Sequence, residues 1–312
     1  MKIGVIGVGY WGKKHVEEYK ALGINDLIVA DLKEENLLFC EEKYKTQVTK
    51  DYRKILKDPE VIAVSICTPN ETHYRLTQEA LYYDKHVLVE KPMTLRYSHA
   101  LDLVELAKER NKVLVVGHIY RFNNALKKVK SMLKEKELGK DIYTIKLTWT
   151  NLEPVWNRDI LFDLAPHPID IIDYLFEENL DQIRCVGASY RKPEGEEVAY
   201  LTGKIGKTIV ALEMSWLLPK KRRELEIVGS EKTVFVDCLA QDVTTYDYLK
   251  GTTEKIPVVR NNTLRDELKF FIKCVNENNR NAINSAEVGA KVVKILEIAQ
   301  KSMRVRKLRK KE

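Results

Sequence analysis

Cysteines are few and show no order. Cys40, Cys67, Cys185, Cys238 and Cys274 are odd in number and no two form a CxxC. That argues against a zinc ribbon or a disulfide framework and for reduced thiols. No run approaches eighteen apolar residues, so no transmembrane helix is expected. The opening MKIGVIGVGYWG lacks the basic-then-apolar layout and small-residue cleavage site of a signal peptide. Together these features imply a cytoplasmic protein. Internal repeats, low-complexity tracts and flexible linkers are also missing. Excess charge is nearly confined to one place. The net charge is +7, but the last nine residues, RVRKLRKKE, hold six basic residues and one acidic residue. The body is therefore close to neutral, which is not the footprint of a nucleic-acid-binding domain. The tail is expected to be a solvated terminus, with a polyanion or membrane surface as the alternative.

What is present is a chain of 312 residues, 44% hydrophobic and 32% charged. That is enough for two globular domains. Up to residue 118, short β-branched runs alternate with helical segments: KIGVIG, a helix over 11–22, LIVAD, a helix over 34–44, VIAVSICTP, a helix over 73–83, HVLVEKP, a helix over 98–110, and VLVVGH. Continuous apolar strands separated by helices predict a doubly wound parallel sheet covered on both faces. Beyond residue 118 the pattern becomes mostly antiparallel strands with segregated helices. Helices are expected over 125–136, 163–176, 263–278 and 285–304. The chain thus reads as an α/β Rossmann domain over 1–120 and an α+β domain over 121–312.

Gly7-Val8-Gly9-Tyr10-Trp11-Gly12 is a GxGxxG between a strand and a helix, the context in which such a loop binds a dinucleotide. Gly7 permits the turn, Gly9 lets backbone approach a pyrophosphate, and Gly12 lets helix and strand pack closely. Asp31 ends the second strand, where a carboxylate accepts from ribose hydroxyls and repels a 2′-phosphate. That favours NAD over NADP, although Lys33 lies nearby. Thr68, Pro69, Asn70 and His73 follow the third strand, where they can line the cofactor; Asn70 can equally be a turn or cap residue. Glu90-Lys91-Pro92 follows the fourth strand. Lys91 there can polarise a hydroxyl or move its proton, although by composition alone a lysine is usually solvated. Pro92 is a candidate for a cis bond.

In Asp163-Leu164-Ala165-Pro166-His167-Pro168-Ile169-Asp170, Asp163 and His167 share a face if the segment is helical, and a carboxylate beside a histidine raises its basicity. His167 has no second histidine four residues on, so no metal site is expected. Asp170 and Asp173 are expected to face solvent or cap a helix. Arg121 and Arg158 suit a diphosphate or carboxylate, or else surface salt bridges. Trp156 can stack on a sugar or nicotinamide, or pack in the core.

GVGYWG, TPNETH, EKP, GHIYRFNNAL and DLAPHPID together resemble the glucose–fructose oxidoreductase / inositol dehydrogenase family over essentially the whole chain. The resemblance implies NAD(P)-dependent oxidation of a sugar CH–OH, with a Rossmann domain followed by an open-faced mixed sheet that often builds oligomer interfaces. It implies Lys91 as the catalytic lysine, Asp163 and His167 as the acid–base and orienting pair, and a cofactor contact at Glu90 beside Lys91. On the same ground Asn123 joins Arg121, Trp156 and Arg158 as a sugar contact. GHIYRFN, ILFDLAPHPID, DCLAQDVTTYD and TLRDELKFFIKCV look like the subgroup that oxidises the 3-hydroxyl of UDP-N-acetylglucosamine, whose keto product goes to an aminotransferase. Asn124 and Pro168 depart from that subgroup's proline and aspartate. The alternatives are a dehydrogenase of the corresponding uronic acid, inositol or a free sugar, or a non-catalytic NAD- or sugar-binding regulator. The expected partners are a sugar or sugar nucleotide and further copies of the chain, as dimer or tetramer.

Overall fold

The computed structural model describes residues 1–154, 159–191 and 195–309. Its backbone forms two compact units. One contains Met1–Ile119 and Asn262–Val293, the other Tyr120–Asn261 and Lys294–Glu312.

In the first unit the elements run β1 (Lys2–Ile6), α1 (Tyr10–Ala21), β2 (Leu27–Ala30), α2 (Glu34–Tyr44), β3 (Gln47–Thr49), α3 (Tyr52–Lys57), β4 (Val61–Ile66), α4 (His73–Tyr82), β5 (His86–Val89), α5 (Tyr97–Glu109) and β6 (Leu114–Val116). The sheet is parallel, in the order β3-β2-β1-β4-β5-β6. Every residue of β1, β2 and β6 is buried, which explains why, after Lys2, their sequences are unbroken apolar runs. The strand order reverses between β1 and β4, so the crevice at their carboxyl ends is where such a sheet holds a ligand. The sequence pattern missed β3 and α3, which are only three and six residues long.

The second unit holds α6 (Asn124–Lys134), β7 (Ile142–Leu152), α7 (Ile160–Leu164), α8 (Pro166–Phe176), β8 (Asp181–Ala188), β9 (Val198–Ile205), β10 (Thr208–Ser215), β11 (Leu217–Gly229), β12 (Lys232–Asp237), β13 (Asp242–Asp247) and β14 (Thr252–Ile256). Its eight strands form one mixed sheet, parallel only between β7 and β10. Side chains alternate across it. Val210, Leu212, Ile145 and Val234 are buried, whereas Tyr200, Ile209, Phe235 and Tyr246 stay exposed on the opposite face. This is the open-faced sheet expected. The strand β14 was not expected; its TTEKI has no apolar alternation and lies at the sheet edge.

Two helices close the chain, α9 (Thr263–Glu277) and α10 (Ala286–Arg309). The linear reading assigned both to the second domain. Instead, α9 packs on the face of the parallel sheet that also carries α1 and α2. Leu264, Leu268, Phe271 and Cys274 join Val16, Tyr19, Leu88 and Val115 in one apolar cluster. Ala290 and Val293 of α10 join the opposite face, with α3, α4 and α5. A parallel sheet must be covered on both sides. After β6, the chain supplies that cover only after the second unit's strands.

Candidate active site

The first unit gathers its chemical residues at the carboxyl ends of its strands. Gly7 follows β1 with φ +85°, and a Cβ there would lie 2.7 Å from the Thr68 side chain. A Cβ at Gly12 would lie 1.9 Å from the Gly7 carbonyl oxygen, so only glycine lets α1 approach β1 this closely. Gly9 differs. A Cβ there meets no chain atom within 4 Å, so the fold itself does not require glycine at that position. Gly9 is also the N-cap of α1 and makes no side-chain cap bond. The first amides of α1 therefore have no side-chain acceptor there, and the surface beside them has no Cβ. That arrangement fits a pyrophosphate. Tyr10, exposed, and Trp11, half-buried, pack edge to face in the first turn at 5.7 Å.

Asp31 follows β2. Its Oδ2 accepts from the Val8 amide and its Oδ1 from the Lys33 amide, both at 2.8 Å. The carboxylate is thus anchored to the glycine loop, and each oxygen keeps a further lone pair for a ribose hydroxyl. Thr68 and Pro69 follow β4, and Asn70 begins a short 3-10 turn ending at Thr72.

Two residues expected to touch a cofactor are instead buried behind this surface. His73 is fully buried, its ring nitrogens each 2.8 Å from a carbonyl oxygen, those of Pro92 and Thr68. Burial pushes its imidazole below the ordinary value, against those carbonyls and Glu90. It ties the exit of β4 to the exit of β5. Glu90 is also buried, and its Oε1 lies 3.0 Å from Nε2 of His15 on α1. Burial would raise its carboxyl, but the His15 hydrogen bond and the charges of His15, Lys91 and His73 outweigh this and hold it below the usual range. Lys91 itself is half-buried, directly after β5, and the Lys91–Pro92 peptide is cis.

In the second unit, Asp163 ends up on α7 and His167 on α8, because the expected single helix is divided at Ala165 with Pro166 opening α8. The N-cap of α7 is Asp159, whose side chain accepts from the Leu161 amide. Between Ile160 and Ile172 every residue is buried except Asp163 and His167. These two polar groups are therefore what the segment presents at its surface. The His167 ring meets the edge of Tyr120 at 5.1 Å, and Tyr120 meets Trp149 at 5.3 Å. The Arg223 guanidinium donates to the Thr150 carbonyl, to Asn151 Oδ1 and to the Arg222 carbonyl, and hydrogen-bonds Tyr120. Burial lowers it from its ordinary value, against the pull of Tyr120 and Asp163.

Three sequence expectations are corrected here. Asp170 does not face solvent. It is 1% exposed and accepts from Arg121 Nε at 2.7 Å, while Asp173 accepts from the same guanidinium at 2.6 Å. Burial pushes the Asp170 carboxyl up to about 6, against Arg121. Arg121 is accordingly engaged by carboxylates of its own unit rather than presented to a diphosphate. Asn123 caps α6, accepting from the Ala125 and Leu126 amides and donating to the Cys238 carbonyl. A side chain so committed and 1% exposed is used by the fold. Trp156 and Arg158 lie outside the described residues. Among the described residues, no three His, Cys, Asp or Glu gather to hold a metal ion, and no helix is long and apolar enough to cross a membrane.

Residues 1–118 match the oxidoreductase family with an NAD-binding Rossmann fold, and residues 126–235 match the GFO/IDH/MocA C-terminal domain. The chain belongs to the GFO/IDH/MocA oxidoreductase family. It is 30% identical over 266 residues to UDP-N-acetylglucosamine 3-dehydrogenase of Acidithiobacillus ferrooxidans, covering 83% of this chain and 81% of that protein. It is 26% identical over 330 residues to myo-inositol 2-dehydrogenase of Thermotoga maritima, covering 97% and 96%. The solved structure of the Acidithiobacillus enzyme matches with a TM-score of 0.86 at 24% identity over 97% of each chain. Levoglucosan dehydrogenase in complex with NADH matches at 0.87 and 19% identity, over 97% of this chain and 96% of that one. As a GFO/IDH/MocA member the chain is an oxidoreductase with a dinucleotide-binding Rossmann domain.

Sequence reasoning overlooked His15, Tyr120, Trp149 and Arg223. His15 stands three residues after Gly12, on the helix the glycine loop opens. Arg223 ends a KKRR run, and the β11 register turns it inward.

Proposed function

We propose that the protein is an NAD-dependent dehydrogenase of a sugar secondary hydroxyl, most closely that at C3 of UDP-N-acetylglucosamine. The observation that carries this reading is the buried helical segment whose accessible positions are Asp163 and His167, in a chain with Lys91 directly after β5. Gly7, Gly9, Gly12, Tyr10, Trp11, Asp31, Thr68, Pro69 and Asn70 are the groups assigned to the dinucleotide. Asp31, a carboxylate fixed at the end of β2, supports NAD over NADP. The bound nicotinamide supplies the hydride acceptor. Lys91 binds and polarises the reacting hydroxyl, and Lys91 with His167 takes its proton. His167 serves as the second acid–base group, and Asp163 fixes the orientation of its imidazole. Tyr120 and Trp149 buttress that ring. The similarity to the Acidithiobacillus enzyme supports the UDP-sugar assignment, and the full-length similarity to myo-inositol 2-dehydrogenase supports inositol as the second reading.

Self-association is proposed through the exposed sheet face bearing Tyr200, Ile209, Phe235 and Tyr246, apolar side chains interleaved there with the charged Lys146, Glu213 and Glu226.

The test is nicotinamide reduction, followed by absorbance with NAD and with NADP. The panel is UDP-N-acetylglucosamine, its uronic acid, myo-inositol and glucose, each with a hydrazine trap. Reduction with the first alone, faster with NAD, is expected. Reduction with myo-inositol alone would replace the substrate, and none with any would overturn the reading.

A further inference from the structure

The glycine-loop helix and the lysine turn are joined by one buried contact. His15 lies on α1, fully buried, with Nε2 at 3.0 Å from Glu90 Oε1. The other oxygen of that carboxylate, Oε2, accepts from the main-chain amide of Lys91 at 3.2 Å. The pocket around the carboxylate is closed. A Cβ at Gly117 would lie 3.0 Å from Glu90 Oε2. Among the described residues, Nδ1 of His15 has no hydrogen-bond partner. The ring therefore gains only from a proton on Nε2, the nitrogen that faces Glu90.

We propose that His15 is a positioning residue for the catalytic lysine, holding the Glu90 carboxylate so that Glu90 fixes the main chain at Lys91. The inference rests on the reading of Lys91 as the catalytic lysine. A buried carboxylate that loses a hydrogen bond is poorly solvated and must either bind a proton or turn away. If it binds a proton, the ammonium loses the negative charge beside it and the Lys91 amide keeps only a neutral acceptor; if it turns away, the amide loses its acceptor and the ammonium its counter-charge. His15 touches neither substrate nor cofactor in this scheme. Its effect falls on the geometry of proton transfer and leaves nucleotide affinity alone.

The experiment compares the wild-type full chain with His15→Leu and His15→Gln. Glutamine carries an N–H close to where Nε2 of histidine sits, and leucine carries none. Folding is checked by melting and NADH binding by fluorescence. Two readouts decide. The first is kcat against KM on whichever sugar the panel identifies. The second is the rate at which Lys91 is acetylated by trace acetic anhydride, measured by peptide mass spectrometry relative to exposed Lys207. His15→Leu is expected to lower kcat by about tenfold to a hundredfold, the worth of a hydrogen bond to a charged group. KM for NAD should stay unchanged and Lys91 acetylation should shift. His15→Gln should recover most of both. A folded leucine variant with wild-type kcat and wild-type Lys91 acetylation would overturn the proposal, as would a glutamine variant no better than leucine. Should the leucine variant not fold, Glu90→Gln is read by acetylation alone: a shift supports the positioning role and no shift overturns it. If the wild type reduces no sugar, the dehydrogenase reading fails, while acetylation still decides whether His15 controls Lys91.

Discussion

At the scale of single residues, some polar groups are presented at the surface and others are enclosed. Lys91, Asp163 and His167 remain accessible, whereas Glu90, His73, Asn123 and Asp170 are enclosed and paired. Replacing Lys91 with alanine should leave NADH binding intact and reduce turnover by about a hundredfold or more, the usual contribution of a proton-transfer group. Fluorescence titration and steady-state rates measure the two effects separately, and a near-wild-type rate would remove Lys91 from the chemistry. Glu197 makes a different prediction. Burial would raise its carboxyl, but the Arg191 and Tyr190 amides and the Arg191 side chain bring it down to about 2. A carboxyl depressed in the folded state stabilises above its unfolded value, and that contribution fades as pH falls toward the folded value. Glu197→Gln should therefore melt below the wild type at neutral pH, with the gap narrowing from about pH 4.5 toward pH 2. A gap that stays constant with pH would show that the charge contributes nothing.

Elements respond to the chain atoms that crowd them. Gly9 and Gly12 stand three residues apart on one loop, yet their surroundings differ in kind. Gly12→Ala forces a Cβ against the Gly7 carbonyl, so α1 must move off β1 and both stability and NAD affinity should fall. Gly9→Ala meets no chain atom. Its melting temperature should match the wild type while NAD affinity drops by about tenfold or more, because the added methyl would stand where the proposed site brings the pyrophosphate. Melting and titration on the pair distinguish a packing glycine from a binding glycine. If Gly9→Ala binds NAD normally, the pyrophosphate does not pass there. The elements themselves were legible where periodicity is local. The helix α2 has the expected bounds, and β1, β2, β4 and β5 coincide with their apolar runs. The lost elements were short ones, β3 and α3, and the edge strand β14, whose side chains carry no pattern because little of them is buried.

For the whole molecule, the main departure from the linear reading is α9. The parallel sheet needs cover over Leu88, Val113 and Val115, and Phe271 with Leu268 provides it from a segment that follows β14 in the chain. Phe271→Ala should destabilise the first unit by about 3–5 kcal/mol, the range for emptying a buried aromatic site. It should also lower the melting temperature of the NAD-bound protein, although Phe271 is far along the chain from the glycine loop. Scanning calorimetry with and without NAD measures this, and an unchanged transition would show that α9 is dispensable to the unit. If the exposed sheet face joins copies of the chain, Phe235→Glu should shift the mass seen by light scattering toward the monomer. A mass unchanged from wild type would place the contact elsewhere.

The sequence alone determined the family, the dinucleotide loop, the acid after β2 and the lysine after β5. Each is a short motif whose chemistry depends on neighbours a few residues away. Only the tertiary structure decided which polar residues are presented and which are enclosed. His15 reaches Glu90 across 75 residues, Arg121 reaches Asp170 across 49, and Asn123 reaches Cys238 across 115. Burial of a charge is tolerated only where a partner meets it. In this protein those partners come from distant parts of the chain, so the local pattern could not reveal which of these groups would be buried.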